Sequence, residues 1–289
     1  MPVAHVNGID IYWESMGHGE PMLLIMGLGA QLVTWDDEFC ARLAGRGFRV
    51  IRFDNRDVGL SSRLDHLRVA SMRQLLLRAA LGRPVRAPYS LRDMAADAVG
   101  LLDALDIARA HIVGASMGGM IAQIMAIEHP GRVRSLTSIM SHPGDPLSKL
   151  ARPRALRAFT LPYPRTREEA IANYVATFRA IGSRGFAVDE DRLRRRAALA
   201  YDRSFYPRGL RRQFAAIAEA QSRVQALRSV RAPTMVLHGA DDPLVPPRGG
   251  RATARAIPGA RLRMIDGMGH DMPPDAWPLI LDAIANVAR

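Results

Sequence analysis

The stretch that most limits what this chain can become is Gly114-Ala115-Ser116-Met117-Gly118. The apolar run Ala110–Val113 precedes it. An apolar helical stretch, Gly119 to Ile127, follows it. Strand, Gly-x-Ser-x-Gly and helix in succession describe a sharp turn with a serine at its apex. Small residues two before and two after the serine let the two backbones pass closely. The turn exposes the hydroxyl at a helix N-terminus, where free N–H groups and the dipole favour developing negative charge. Ser116 is therefore the candidate nucleophile.

The segments around this turn alternate between strand and helix. Val3–Val6, Asn7-Gly8 and Ile9–Trp13 read as a hairpin on a two-residue type I′ turn. Met22–Met26 is a continuous apolar run, fitting a strand buried on both faces. Residues 32–46 have helical spacing, closed by Gly45 and Gly47, and Phe48–Phe53 is the next strand. Ser90 to Asp93 opens a helix with a capping-box pattern, and Met94, Ala98, Leu101, Leu102 and Leu105 form its buried stripe. Further strands are read at 133–139, 234–238 and 262–265, with helices near 248–256 and 275–287. Such alternation predicts an α/β fold with a mostly parallel sheet and helices on both faces. Its length of 289 residues suits one such domain with an insertion.

Between 145 and 228 the alternation stops. That stretch reads as helical, basic and broken by prolines. The expected organisation is a core of residues 1–141 and 229–289, with 142–228 as a helical cap over the carboxyl ends of the strands, where ligands bind in such sheets. Residues 142–231 carry 19 Lys and Arg against 8 Asp and Glu, nearly all of the +12 net charge of the chain. Lys149 is the sole lysine there, and the arginines lack interleaved aromatics, so solvated surface is expected rather than a nucleic-acid site. Leu150, Leu156, Phe159, Leu161, Tyr163, Tyr174, Phe178, Phe186, Tyr201, Phe205 and Tyr206 could line a pocket or form the cap's own core.

A serine hydroxyl needs a base, and the base an orienting carboxylate. Strand 234–238 leads into Asp241-Asp242-Pro243, and the last strand into Gly267-Met268-Gly269-His270. Both follow strand ends on the edge that carries Ser116. His270 is the candidate base. Asp242 is preferred to its neighbour Asp241 as the acid, with Asp266 a distant third that braces the loop. His142 and His238 also end strands, without a matching acid downstream. One cysteine, Cys40, excludes an intrachain disulfide. Residues Met1–Val6 do not begin as a leader, and no apolar run approaches the roughly 20 residues of a bilayer span, so a cytoplasmic protein is expected.

Over essentially its whole length the chain resembles α/β-hydrolase fold proteins, which implies an eight-stranded, mostly parallel sheet with an inserted helical cap. Asp242-Pro243-Leu244-Val245-Pro246 is similar to the run that carries the family's acid. Asp54-Asn55-Arg56-Asp57-Val58-Gly59-Leu60-Ser61 is similar to the family's Asp-x-Arg-Gly-x-Gly-x-Ser loop, and departs from it by Asp57 where glycine is usual. That loop is expected to tie the strand end to the neighbouring serine turn through Asp54 and Arg56. Together with Met26-Gly27-Leu28-Gly29, this pattern resembles the subgroup around aclacinomycin methylesterase. The resemblance implies an oxyanion hole made by the backbone N–H groups of Met117 and Leu28, no cofactor and no metal, and a small-molecule ester as substrate.

Overall fold

The computed structural model describes residues 2–146, 148, 151–156 and 161–289. Leu150 and Phe159 of the expected cap residues lie outside them. In the described residues an eight-stranded sheet has the order β1 (Val3–Val6), β2 (Ile9–Met16), β4 (Phe48–Phe53), β3 (Glu20–Ile25), β5 (Ala110–Ala115), β6 (Val133–Ile139), β7 (Thr234–Gly239) and β8 (Arg261–Ile265). β1 and β2 form an antiparallel edge hairpin, β2 runs antiparallel to β4, and the strands from β4 to β8 are parallel. The hairpin turns at Asn7 and Gly8, both with positive φ (50° and 75°), as a type I′ turn requires.

The continuous apolar run of β3 is explained by its two buried faces. Leu23 and Ile25 pack with Ile51 and Ile112 against α3 (Leu91–Ala104) and α4 (Met117–Glu128). Met22 and Leu24 pack with Val113 and Leu237 against α1 (Asp37–Ala44) and α10 (Trp277–Ala288). The period of two along the strand thus feeds two cores, one on each face of the sheet. The Ser90 hydroxyl accepts from the Asp93 amide, and the Asp93 carboxylate from the Ser90 amide, closing the capping box of α3. The helix expected over 32–46 is interrupted: Leu32–Thr34 is one 3₁₀ turn, and Asp36 caps α1 by accepting from the Glu38 amide. α2 (Met72–Ala80), for which the sequence offers little stripe, buries only Leu75.

Between β6 and β7 stand α5 (Pro153–Leu156), α6 (Arg167–Ile181), α7 (Glu190–Arg203) and α8 (Arg208–Glu219). Most of the described arginines of this segment are exposed or half-buried, as expected of a solvated surface, and three depart from it. Arg203 Nη1 lies 2.6 Å from Asp54 Oδ2, and Arg212 makes two 2.7 Å bonds to the Asp57 carboxylate, with both carboxylates fully buried. Arg223 is buried against Gln123 and the His142 carbonyl. Buried charge needs partners, and these partners lie 81 to 155 residues away in sequence. Arg167 and Arg194 do remain exposed in surface pairs. No helix among the described residues is long and apolar enough to cross a membrane.

Candidate active site

Ser116 sits between β5 and α4 with φ 55° and ψ −119°. A non-glycine residue in that region costs of order 1–3 kcal/mol and persists only where its surroundings hold it. Two glycines make the turn possible. A Cβ on Gly114 would stand 2.1 Å from the Gly118 carbonyl oxygen, and one on Gly118 would stand 2.0 Å from the Ile25 carbonyl oxygen. The Ser116 amide donates to the Ile139 carbonyl (2.9 Å), which ties the turn to β6.

His270 joins the serine to a carboxylate. Its Nε2 is 3.0 Å from Ser116 Oγ, and its Nδ1 is 2.7 Å from Asp242 Oδ2. A carboxylate only accepts, so Nδ1 carries the proton and Nε2 is free to accept from the serine hydroxyl. Asp242 is fully buried, and its Oδ1 accepts from the Leu244 and Val245 amides, each at 2.9 Å. Asp241 is exposed, as is Asp266, which does not reach the histidine. The His270 loop is held by the helical segment: the His270 amide donates to the Ile181 carbonyl (2.8 Å), and the Gly269 amide donates to Ser183 Oγ (2.9 Å). Ser183 in turn bonds Asp271, whose carboxyl burial pushes up in pKa.

His238 is the feature that spacing alone did not reveal. Its Nε2 donates to the Val245 carbonyl (2.8 Å) and lies 3.7 Å from Asp242 Oδ2. It does have an acid nearby, four residues on, and it braces the loop that carries that acid. Burial lowers its pKa and keeps the imidazole neutral. His142 is buried and its Nδ1 accepts from the Gly144 amide; His111 bonds Ser135 inside the sheet; His5, His18 and His66 are exposed and His129 lies at the end of α4 away from the serine.

Met117 is the first residue of α4, so its N–H has no intrahelical acceptor. The Met26–Gly29 loop lies against the serine: a Cβ on Gly27 would be 3.1 Å from Ser116 Cβ. The Asp54–Ser61 loop does not contact the serine turn in the way expected. Asp54 accepts from the Leu32 and Leu60 amides (2.7 and 2.9 Å), Asn55 donates to the Met26 carbonyl (3.0 Å), and Arg56 pairs with Asp97 of α3. It therefore buttresses the β3 loop and the inserted helices. Asp57, at φ 66°, occupies a backbone conformation that favours glycine.

Ser116 and His270 open into a cavity of about 410 Å³. Met26, Leu28, Met140, Phe178, Phe186, Leu193 and Trp277 give it apolar walls, and Arg192 and Arg196, paired with Asp36, supply polar ones. Of the aromatic residues considered from sequence, Tyr174, Phe178 and Phe186 line it. Tyr163 is 64% exposed and stacks edge-on with Phe205, away from the cavity. Among the described residues no cluster of His, Cys, Asp and Glu could hold a metal ion.

Comparison with known proteins agrees with this architecture. The chain is similar to rhodomycin D methylesterase DnrP of Streptomyces peucetius (31% identity, 94% of this chain and 93% of that one). It is also similar to 2-hydroxymuconate semialdehyde hydrolase of Pseudomonas sp. strain CF600 (30% identity, 91% and 84%). The enol-lactonase of Burkholderia xenovorans LB400 shares the fold, with a TM-score of 0.74 at 24% identity over 99% of both chains. The sequence profile of the α/β hydrolase fold family matches residues 20–276, and the chain belongs to that family of enzymes.

Proposed function

We propose that the protein is a cofactor-free serine hydrolase that cleaves carboxylic esters through an acyl-enzyme. The observation that carries this reading is the unbroken run of hydrogen bonds from buried Asp242 through His270 to the strained Ser116. Ser116 Oγ attacks the ester carbonyl carbon while His270 Nε2 takes its proton. The carbonyl oxygen becomes an oxyanion held by the Met117 and Leu28 N–H groups. Collapse expels the alkoxide, which leaves as the alcohol with the proton from His270. Water, deprotonated by His270, then attacks the acyl carbon, and the carboxylic acid departs as the proton returns to Ser116. Asp242 fixes the imidazole tautomer and stabilises the cation formed in both steps. Each oxyanion donor is worth roughly 3 kcal/mol of barrier by analogy with measured cases.

Residues 142–228 act in this reading as a cap on the core formed by 1–141 and 229–289. Support comes from α6 and α7 side chains in the cavity wall and from the Ile181 and Ser183 bonds to the His270 loop. The apolar cavity suits a hydrophobic acyl or ring system, and the methylesterase relative favours a small leaving alcohol such as methanol. Ser116→Ala should lose p-nitrophenyl butyrate hydrolysis, and the wild-type protein should cleave methyl esters of bulky apolar acids. Unchanged turnover by the pure variant sinks the proposal. C–C bond hydrolysis is the second reading, favoured by the semialdehyde hydrolase relative. It predicts turnover of 2-hydroxymuconate semialdehyde in excess of the ester rate.

A further inference from the structure

The peptide that carries the Leu28 N–H is pinned from three sides, and one of the pins comes from an inserted helix. The Gly27 carbonyl of that peptide accepts from the Ala30 amide (3.3 Å). In a planar trans peptide the N–H points opposite to the C=O, so this bond aims the Leu28 N–H the other way, out of the turn. One peptide earlier, the Met26 carbonyl accepts from Asn55 Nδ2 (3.0 Å). One peptide later, the Gly29 amide donates to Gln213 Oε1 (2.7 Å). The amide end of Gln213 donates to the Arg56 carbonyl (2.8 Å), in the same loop that supplies Asn55. Gln213 is fully buried on α8, and Leu210, one turn earlier, packs on Gly29, where a Cβ would come within 2.5 Å of its Cδ1. Arg212, the adjacent residue, anchors α8 through Asp57.

Resting on the reading above, we propose that Gln213 is a positioning residue that holds the Leu28 amide at the oxyanion. A buried glutamine bonded to two separate strand-end loops is more than α8 needs for packing. Hydrophobic contact with Leu75 and Val85 through Ala215 already serves that purpose on another face of the helix. Gln213 matches its two partners one for one: its oxygen meets an N–H and its nitrogen meets a C=O, so neither loop can rotate without leaving a polar group unpaired. The Leu28 donor acts only if it is preorganised, because an oxyanion develops faster than a loop can rearrange to meet it.

The test is Gln213→Leu, with Gln213→Met as a second variant of matched length in case the first does not fold. Active sites are titrated with a fluorophosphonate so that kcat refers to folded, competent enzyme. Removal of a complete oxyanion donor lowers kcat about 10²- to 10³-fold. Loosening one of two donors should lower it about tenfold to a hundredfold, with KM for p-nitrophenyl butyrate within about twofold. Inhibition by butaneboronic acid, whose serine adduct is tetrahedral, should weaken in step with kcat. Ala215→Gly weakens the same helix without touching the Gly29 amide, and its kcat should stay within about twofold of wild type. Wild-type kcat and boronate affinity in both Gln213 variants would overturn the inference. So would a loss of kcat in Ala215→Gly equal to theirs. If the wild-type protein itself fails to react with the fluorophosphonate, it is the serine hydrolase reading that falls.

Discussion

Replacing Asp57 by glycine isolates the energetic weight of the link between the β4 loop and α8. Two backbone effects of the change oppose each other. Asp57 holds φ at 66°, which costs an L-residue of order 1 kcal/mol, and glycine adopts that conformation freely. Glycine also gains entropy in the unfolded chain, so the two backbone effects cancel to within about 1 kcal/mol. The side chain then decides the sign. Asp57 accepts two 2.7 Å bonds from Arg212 and one of 2.8 Å from the Leu64 amide, and both charged side chains are at least 96% buried. Stripping the partner from a buried charge costs about 3–5 kcal/mol. Arg212 keeps the Tyr206 hydroxyl and the Leu67 carbonyl, so the lower end, about 3 kcal/mol, is expected. Arg212→Met strands the Asp57 carboxylate with the Leu64 amide and should cost a similar amount. The double variant Asp57→Gly/Arg212→Met removes both charges and should lie within about 2 kcal/mol of wild type. Equilibrium urea unfolding of the four proteins, followed by tryptophan fluorescence, measures the coupling. A coupling below about 1 kcal/mol would refute the reasoning, because it is the value of a solvated surface pair.

Asp242→Asn should lower kcat by about 10⁴ through the wrong imidazole tautomer, whereas exposed Asp241→Asn should change it by less than about twofold; both are read from p-nitrophenyl butyrate kinetics. His238 contributes a pH-dependent term. Its folded pKa is depressed below the usual 6.5, so well above pH 6.5 it is neutral in both states and costs nothing. As pH falls below 6.5 the unfolded chain takes up a proton that the folded protein refuses, and stability drops by at most about 1.4 kcal/mol per pH unit from this group. His238→Gln, which can still donate to the Val245 carbonyl, should flatten the fall in urea midpoint between pH 6.5 and 5. An unchanged slope would show that His238 does not contribute to the acid sensitivity.

The legible parts of this molecule were those written in local pattern. Asn7-Gly8 specified a hairpin turn, the apolar run of β3 specified burial on two faces, and Ser90 with Asp93 specified the start of α3. The order of Ser116, Asp242 and His270 after β5, β7 and β8 is equally readable, because parallel strands bring their carboxyl ends to one edge. What escaped was long-range pairing. Asp57 and Arg212 are 155 residues apart, and Gly29 and Gln213 are 184 apart. No periodicity links them, so the arginines of the inserted helices read as solvated. α2 carries no such signature, because it buries a single leucine and is held by contact with α8 rather than by a stripe of its own. The Asp54–Ser61 sequence indicates that Asp54 and Arg56 will find partners, and only the fold shows that those are Leu32, Arg203 and Asp97.

Everything proposed for the chemistry rests on Ser116 being a nucleophile activated by His270. Mass spectrometry of the protein after treatment with a fluorophosphonate tests it most directly. One covalent adduct is expected on the peptide containing Ser116, with a rate of formation that falls at least about a hundredfold in His270→Ala and no adduct in Ser116→Ala. A wild-type protein that remains unlabelled, or one labelled equally well at another residue when Ser116 is alanine, would contradict it.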